Sequence, residues 1–129
     1  MRALAALPGV RGVNNHMGSA ATADEPTMRD FMAELKVRDL VFLDSLTAAG
    51  SVAYSAARDA GLPAARNRIF LDHDRRDLDG IRRRLASLVE SARASGFAVG
   101  IGHPHPETLQ VLREELPRWR AAGVSFVTL

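Results

Sequence analysis

Four apolar runs in this chain break off abruptly into amides, carboxylates, hydroxyls and imidazoles. Val13 leads into Asn14-Asn15-His16-Met17-Gly18-Ser19, Phe42-Leu43 into Asp44-Ser45, Phe70-Leu71 into Asp72-His73, and Gly100-Ile101-Gly102 into His103-Pro104-His105. Amphipathic stretches separate them, and such alternation argues for parallel strands joined by helical crossovers. Ligands in folds of this kind bind at the carboxyl ends of the strands. All four histidines stand at such ends. The expected fold is α/β, with one face carrying the chemistry.

The boundaries follow from periodicity and punctuation. Arg2 to Leu7 reads as the last turns of a helix closed by Pro8-Gly9, which implies that sequence precedes Met1. Val10 to Asn14 reads as a strand and Asn15 to Ala23 as a loop. Asp24 then caps a helix over Glu25 to Arg38, with Met28, Phe31, Met32 and Leu35 on its buried face. Leu40 to Leu43 is the next strand, and Ser51 to Ala60 a helix closed by Gly61. Ile69 to Leu71 is a third strand. Asp77 opens the longest helix, ended by Gly96 and carrying Leu78, Ile81, Leu85, Leu88, Val89 and Ala92. Phe97 to Ile101 is a strand. Pro106 to Trp119 is a helix with Leu109, Leu112 and Leu116 inward, kinked or ended by Pro117. Val124 to Val127 supplies a fifth strand. Five strands do not close an eight-stranded barrel, and no G-x-G-x-x-G marks a dinucleotide site.

At 129 residues, with 47% hydrophobic and 25% charged residues, the chain is expected to form a single domain or part of one. The formal charge is only +2, although the pI is 9.9. Arg75-Arg76 and Arg82-Arg83-Arg84 read as a solvated helix face, so no nucleic-acid partner is expected. With no cysteine, disulfides and thiolate metal sites are excluded. No run approaches the roughly 20 apolar residues of a membrane span, and the N-terminus does not read as a signal peptide.

His16 is a candidate metal ligand with Asn14 or Asn15 orienting it, or a loop histidine bonded to backbone carbonyls. Asp44 could hold a metal, act as a base, orient a histidine, or cap the next turn. Ser45 lacks the G-x-S-x-G setting of a serine nucleophile, and Thr47 and Ser51 read as turn and cap residues. Asp72 reads as site-facing or structural, with His73 and Asp74 in the loop beyond it. In Gly102-His103-Pro104-His105, His103 is the stronger functional candidate. With Pro104 between them, the two imidazoles need not point the same way, and Glu107 and Thr108 read as the opening of a helix.

These stretches together resemble the divergent polysaccharide deacetylase family. The matching pieces are Gly12 to Ser19, Phe42-Leu43-Asp44-Ser45 with Thr47, Phe70-Leu71-Asp72, and Ile101-Gly102-His103-Pro104 with Glu107-Thr108-Leu109. The resemblance implies a partial (β/α) barrel, a zinc or other divalent-metal site at the strand ends, and export to the periplasm. It makes His16 a metal ligand, His103 a further ligand or the acid that protonates the leaving amine, and Asp44 a supporting catalytic carboxylate. Asn14, Asn15, Ser19, Ser45 and Asp72 become substrate-binding or supporting residues. In related deacetylases a metal-bound water attacks an N-acetyl carbonyl with an aspartate as base. The family's opening pair of aspartates and its His-Pro-Met-Glu-like stretch do not occur here. His73 stands where Asn is more usual, and Leu46 where a polar residue is common. The sequence therefore reads as about the C-terminal two-thirds of a family member.

Two functions compete. One is metal-dependent removal of N-acetyl groups from an amino-sugar polymer or oligomer, incomplete in this span. The other is a non-catalytic carbohydrate- or protein-binding module on the same fold. An incomplete barrel also exposes sheet edges, which makes edge-strand dimers an expectation.

Overall fold

The computed structural model describes residues 6, 7, 9–74 and 76–127. The expected helix over Arg2 to Leu7 falls largely outside the described residues. The elements in order are β1 (Gly12–Asn14), α1 (Ser19–Thr22), α2 (Glu25–Val37), β2 (Val41–Asp44), α3 (Ala53–Asp59), β3 (Ala64–Phe70), α4 (Leu78–Ser95), β4 (Val99–Ile101) and α5 (Pro106–Ala121). The four strands are parallel and run in the order β1-β2-β3-β4. This is the α/β alternation that the sequence implies, with a short extra helix, α1, in the loop expected over Asn15 to Ala23.

Two compact units divide the chain, Met1–Arg66 and Asn67–Leu129. In the first, Asp24 accepts the Thr27 N–H at 2.9 Å and starts α2 beside Pro26. Met28, Met32 and Leu35 recur at helical spacing and are buried with Leu40, Phe42, Ala53, Ala57 and Leu62. Phe31 meets Phe42 edge to face, with centroids 6.2 Å apart. Two alanines on α3 let that helix approach closely, and burying this cluster is the main stabilising term for the unit.

In the second unit, Asp77 accepts the Gly80 N–H at 2.7 Å and starts α4. Ile81 and Leu85 of α4 pack with Leu71 and Val111. A Cβ on Gly100 would lie 2.5 Å from a Leu88 methyl carbon, so only glycine lets α4 seat this tightly on β4.

β3 begins five residues before the expected Ile69. Its first half, Ala64–Arg66, pairs with β2, and from Asn67 it pairs with β4, with a register shift between Asn67 and Ile69. Ala65 and Asn67 are buried while Arg66 and Arg68 are exposed. The period of two is present, but it is carried by small and polar residues. The Asn67 side-chain oxygen accepts the Ile69 N–H at 3.3 Å at this irregularity.

One expectation is corrected. Residues 124–127 form no strand, leaving four rather than five among the described residues. After Gly123 turns with φ 83°, the Val124 N–H bonds the Trp119 carbonyl rather than a strand, and Phe126 packs against the core of the second unit. Pro117, expected to kink or end α5, does not end it, and the helix runs on to Ala121. Arg113, whose carbonyl a proline at 117 deprives of its helical partner, and Pro117 itself are both exposed residues. On the same helix Thr108 and Val111 are buried, whereas Leu109 is 38% exposed.

Candidate active site

In the first unit the exits of β1 and β2 are laced together by side chains. Asn14 Nδ2 donates to Ser45 Oγ at 3.1 Å, and Asn15 Nδ2 to Thr47 Oγ1 at 3.2 Å. Asn15 Oδ1 accepts the Ser45 N–H at 2.8 Å, and the Thr47 hydroxyl donates to the Met17 carbonyl at 3.2 Å. Asp44 is fully buried, and its two oxygens accept from the Leu46 N–H at 2.8 Å and the Ser51 hydroxyl at 3.0 Å. Asp44 therefore shapes the loop after β2. His16 and Ser19 are exposed, with Ser19 opening α1.

In the second unit the exit of β3 meets the turn after β4. Asp72 Oδ2 accepts the His103 N–H at 2.5 Å and the Thr108 hydroxyl at 2.9 Å, while Oδ1 lies 3.0 Å from His103 Nδ1. The Asp72 side chain is 1% exposed and that of His103 46%. Burial pushes the Asp72 carboxyl up, but the bonds from the His103 ring, the His103 N–H and the Thr108 hydroxyl outweigh it and hold the group below its ordinary value. A carboxylate at Nδ1 fixes the imidazole with Nδ1 protonated, so the lone pair resides on Nε2.

The His105 N–H closes a tight turn onto the His103 carbonyl at 2.8 Å around Pro104. The two rings lie 5.6 Å apart at 32°. One ligand atom each from Asp72, His103 and His105 falls within 4.8 Å of the others. Two imidazoles and a carboxylate are donors that zinc accepts in hydrolytic sites, and three protein ligands leave a position open. The donor set fits a divalent ion in type. Asp72 Oδ1 would then have to share its His103 bond. His105 joins this cluster although its sequence context favoured only His103, and the order of Thr108 after His103-Pro104 is the one signal that could have tied the hydroxyl to Asp72. A cavity of about 370 Å³ adjoins, lined by Leu71, Leu88, Gly102, His103, Leu112 and Phe126 among others.

A parallel α/β domain whose strand ends carry an oriented carboxylate–imidazole pair is the class that fold and site define. Residues 1–129 match the family described as divergent polysaccharide deacetylase, and the chain belongs to it. It is 43% identical over 105 residues to an uncharacterized protein of Haemophilus influenzae, a match covering 81% of this chain and 37% of that protein. It is 37% identical over 108 residues to the uncharacterized protein YibQ of Escherichia coli, covering 84% of this chain and 34% of that one. The crystal structure of an uncharacterized protein of Agrobacterium tumefaciens is similar with a TM-score of 0.85 at 25% identity, over 90% of this chain and 47% of the other. The chain thus spans about a third of the length of the curated relatives it matches.

Proposed function

We propose that this chain carries the proton-donating half of a carbohydrate N-deacetylase site, acting on an N-acetylated amino-sugar polymer or oligomer in an exported protein. The observation that carries the reading is the Asp72–His103 pair at a strand end in a member of this family. Asp72 is buried, ionised and aimed at Nδ1, so it holds the proton on that nitrogen and directs Nε2 away from itself. As the acetyl carbon–nitrogen bond breaks, the proton that His103 Nε2 has taken from the attacking water passes to the departing amine, and Asp72 keeps the ring oriented throughout. A divalent ion, when bound, supplies Lewis acidity to the acetyl carbonyl and acidifies the attacking water. Its proposed ligand is His16, or else the Asp72–His103–His105 cluster, in which case His103 holds the ion and does not transfer the proton. Asp44 supports the loop after β2 rather than transferring a proton.

The test uses the protein as isolated from its source organism, whose intact mass is first compared with 14.0 kDa. Acetate release from N-acetylglucosamine oligomers should fall roughly 10²- to 10⁴-fold in His103→Ala. Equal release by variant and parent would sink the reading, and absence of release by either protein would favour a binding module. Zinc stoichiometry separates the two metal placements, through loss of the ion in His16→Ala or in His105→Ala.

A further inference from the structure

Among the described residues, the Asp72 carboxylate accepts three bonds, and two of them come from His103 itself. The His103 N–H meets Oδ2 and the ring Nδ1 faces Oδ1, so a shift of residue 103 carries both donors with it. The last torsion of an aspartate is soft. Bonds from His103 alone would let the plane of the carboxylate follow the imidazole that it has to orient. The third donor belongs to a different element: the Thr108 hydroxyl, third residue of α5, lies 2.9 Å from Oδ2.

Thr108 is itself held firmly. It is 1% exposed, and its β-branched side chain is stiff about the first torsion. One turn further along α5, Val111 is buried with Leu71, Ile81 and Leu85, which seats the start of the helix on the core of the second unit. The threonine methyl occupies the space beside Gly102, where a Cβ would lie 3.2 Å from Cγ2 and 3.7 Å from Asp72 Oδ2. Hydroxyl and methyl therefore act on the two sides of the pair, the one on the carboxylate and the other against the backbone that leads into His103.

We propose that Thr108 is a positioning residue of this site: its hydroxyl fixes the plane of the Asp72 carboxylate and, through it, the direction of the His103 imidazole. The effect on turnover rests on the deacetylase-type reading above, whereas the effect on the ring stands apart from it. Small errors in the direction of a proton-transferring group cost rate far more than they cost substrate binding.

The test compares Thr108→Val, which keeps the shape and loses the donor, with Thr108→Ser, which keeps the donor and loses the methyl. Carbon-13 relaxation of the His103 ring and acetate release from N-acetylglucosamine oligomers are read on the full chain, at a temperature where every variant is folded. Thr108→Val should loosen the ring and lower kcat roughly 10- to 100-fold with KM within about twofold, and Thr108→Ser should restore both. A ring as ordered as the parent's, or an unchanged kcat, in Thr108→Val overturns the proposal and leaves the deacetylase reading to His103→Ala. Equal losses in the two variants also overturn it, because packing and not the hydroxyl would then be responsible. Where the parent releases no acetate, the deacetylase reading falls, and the order of the ring in the two variants alone decides the role of Thr108.

Discussion

Replacing Asp72 by asparagine keeps the shape of the side chain and inverts one of its two ends. The carboxylate accepts three bonds, from the His103 N–H, the Thr108 hydroxyl and His103 Nδ1. An asparagine best places its carbonyl where Oδ2 receives two donors, which turns its NH₂ toward His103 Nδ1. Two donors facing each other cannot bond, so the imidazole must move its proton to Nε2. Hydrogen bonds to a charged group are worth about 1.5–3 kcal/mol and neutral ones about 0.5–1.5. Weakening two bonds and inverting the third should therefore cost roughly 2–3 kcal/mol of stability. The pH dependence follows from the lowered Asp72 value. Its contribution is fully present above the unfolded carboxyl value and is lost as pH falls through the lower folded one. The stability gap between parent and variant should be full at neutral pH and narrow in acid. Urea unfolding at several pH values reads the gap, and nitrogen-15 chemical shifts of His103 read the tautomer. Retention of the Nδ1 proton in the variant, or a gap that stays constant with pH, would refute this account.

Three further outcomes follow from packing and hydrogen bonding. Asn15→Ala leaves the Ser45 N–H and Thr47 hydroxyl without their side-chain partner, and chemical denaturation should show a loss of about 1–2 kcal/mol. Gly100→Ala forces a methyl against Leu88 and should destabilise by about 1–3 kcal/mol, with a result near zero counting against tight seating of α4 on β4. Pro117→Ala restores an N–H inside a helix at an exposed position, so thermal unfolding should rise, by an amount on the order of 1–2 kcal/mol.

Much of the fold is legible because its elements obey simple periods. Met28, Met32 and Leu35 on α2, and Ile81, Leu85 and Val89 on α4, are buried as their spacing requires. Asp24 and Asp77 cap as their type requires. The start of β3 is illegible because Ala65 and Asn67 hold the inward positions without hydrophobic bulk, and the Asn67 side chain accepts the Ile69 N–H. The apolar character of residues 124–127 overstates their case, since a strand requires a ladder partner as well as a sequence. At the site, His103 and Asp72 are each visible as polar residues ending apolar runs, but their bond joins residues 31 positions apart. Thr108 reads as a helix opener because hydroxyls are common in first turns, and only the fold shows that its oxygen belongs to Asp72.

The Asp72–His103–Thr108 arrangement is drawn from one strand, one turn and one helix start within the second unit. Its geometry is therefore set by residues of that unit and needs none of the first. The tight turn through Pro104 strengthens that independence, because the placing of His103 and His105 relative to each other is built into a three-residue peptide. A protein engineer could accordingly treat the span from Asp72 to Thr108 as a portable carboxylate–imidazole cassette, to be grafted wherever a parallel sheet offers two adjacent strand ends.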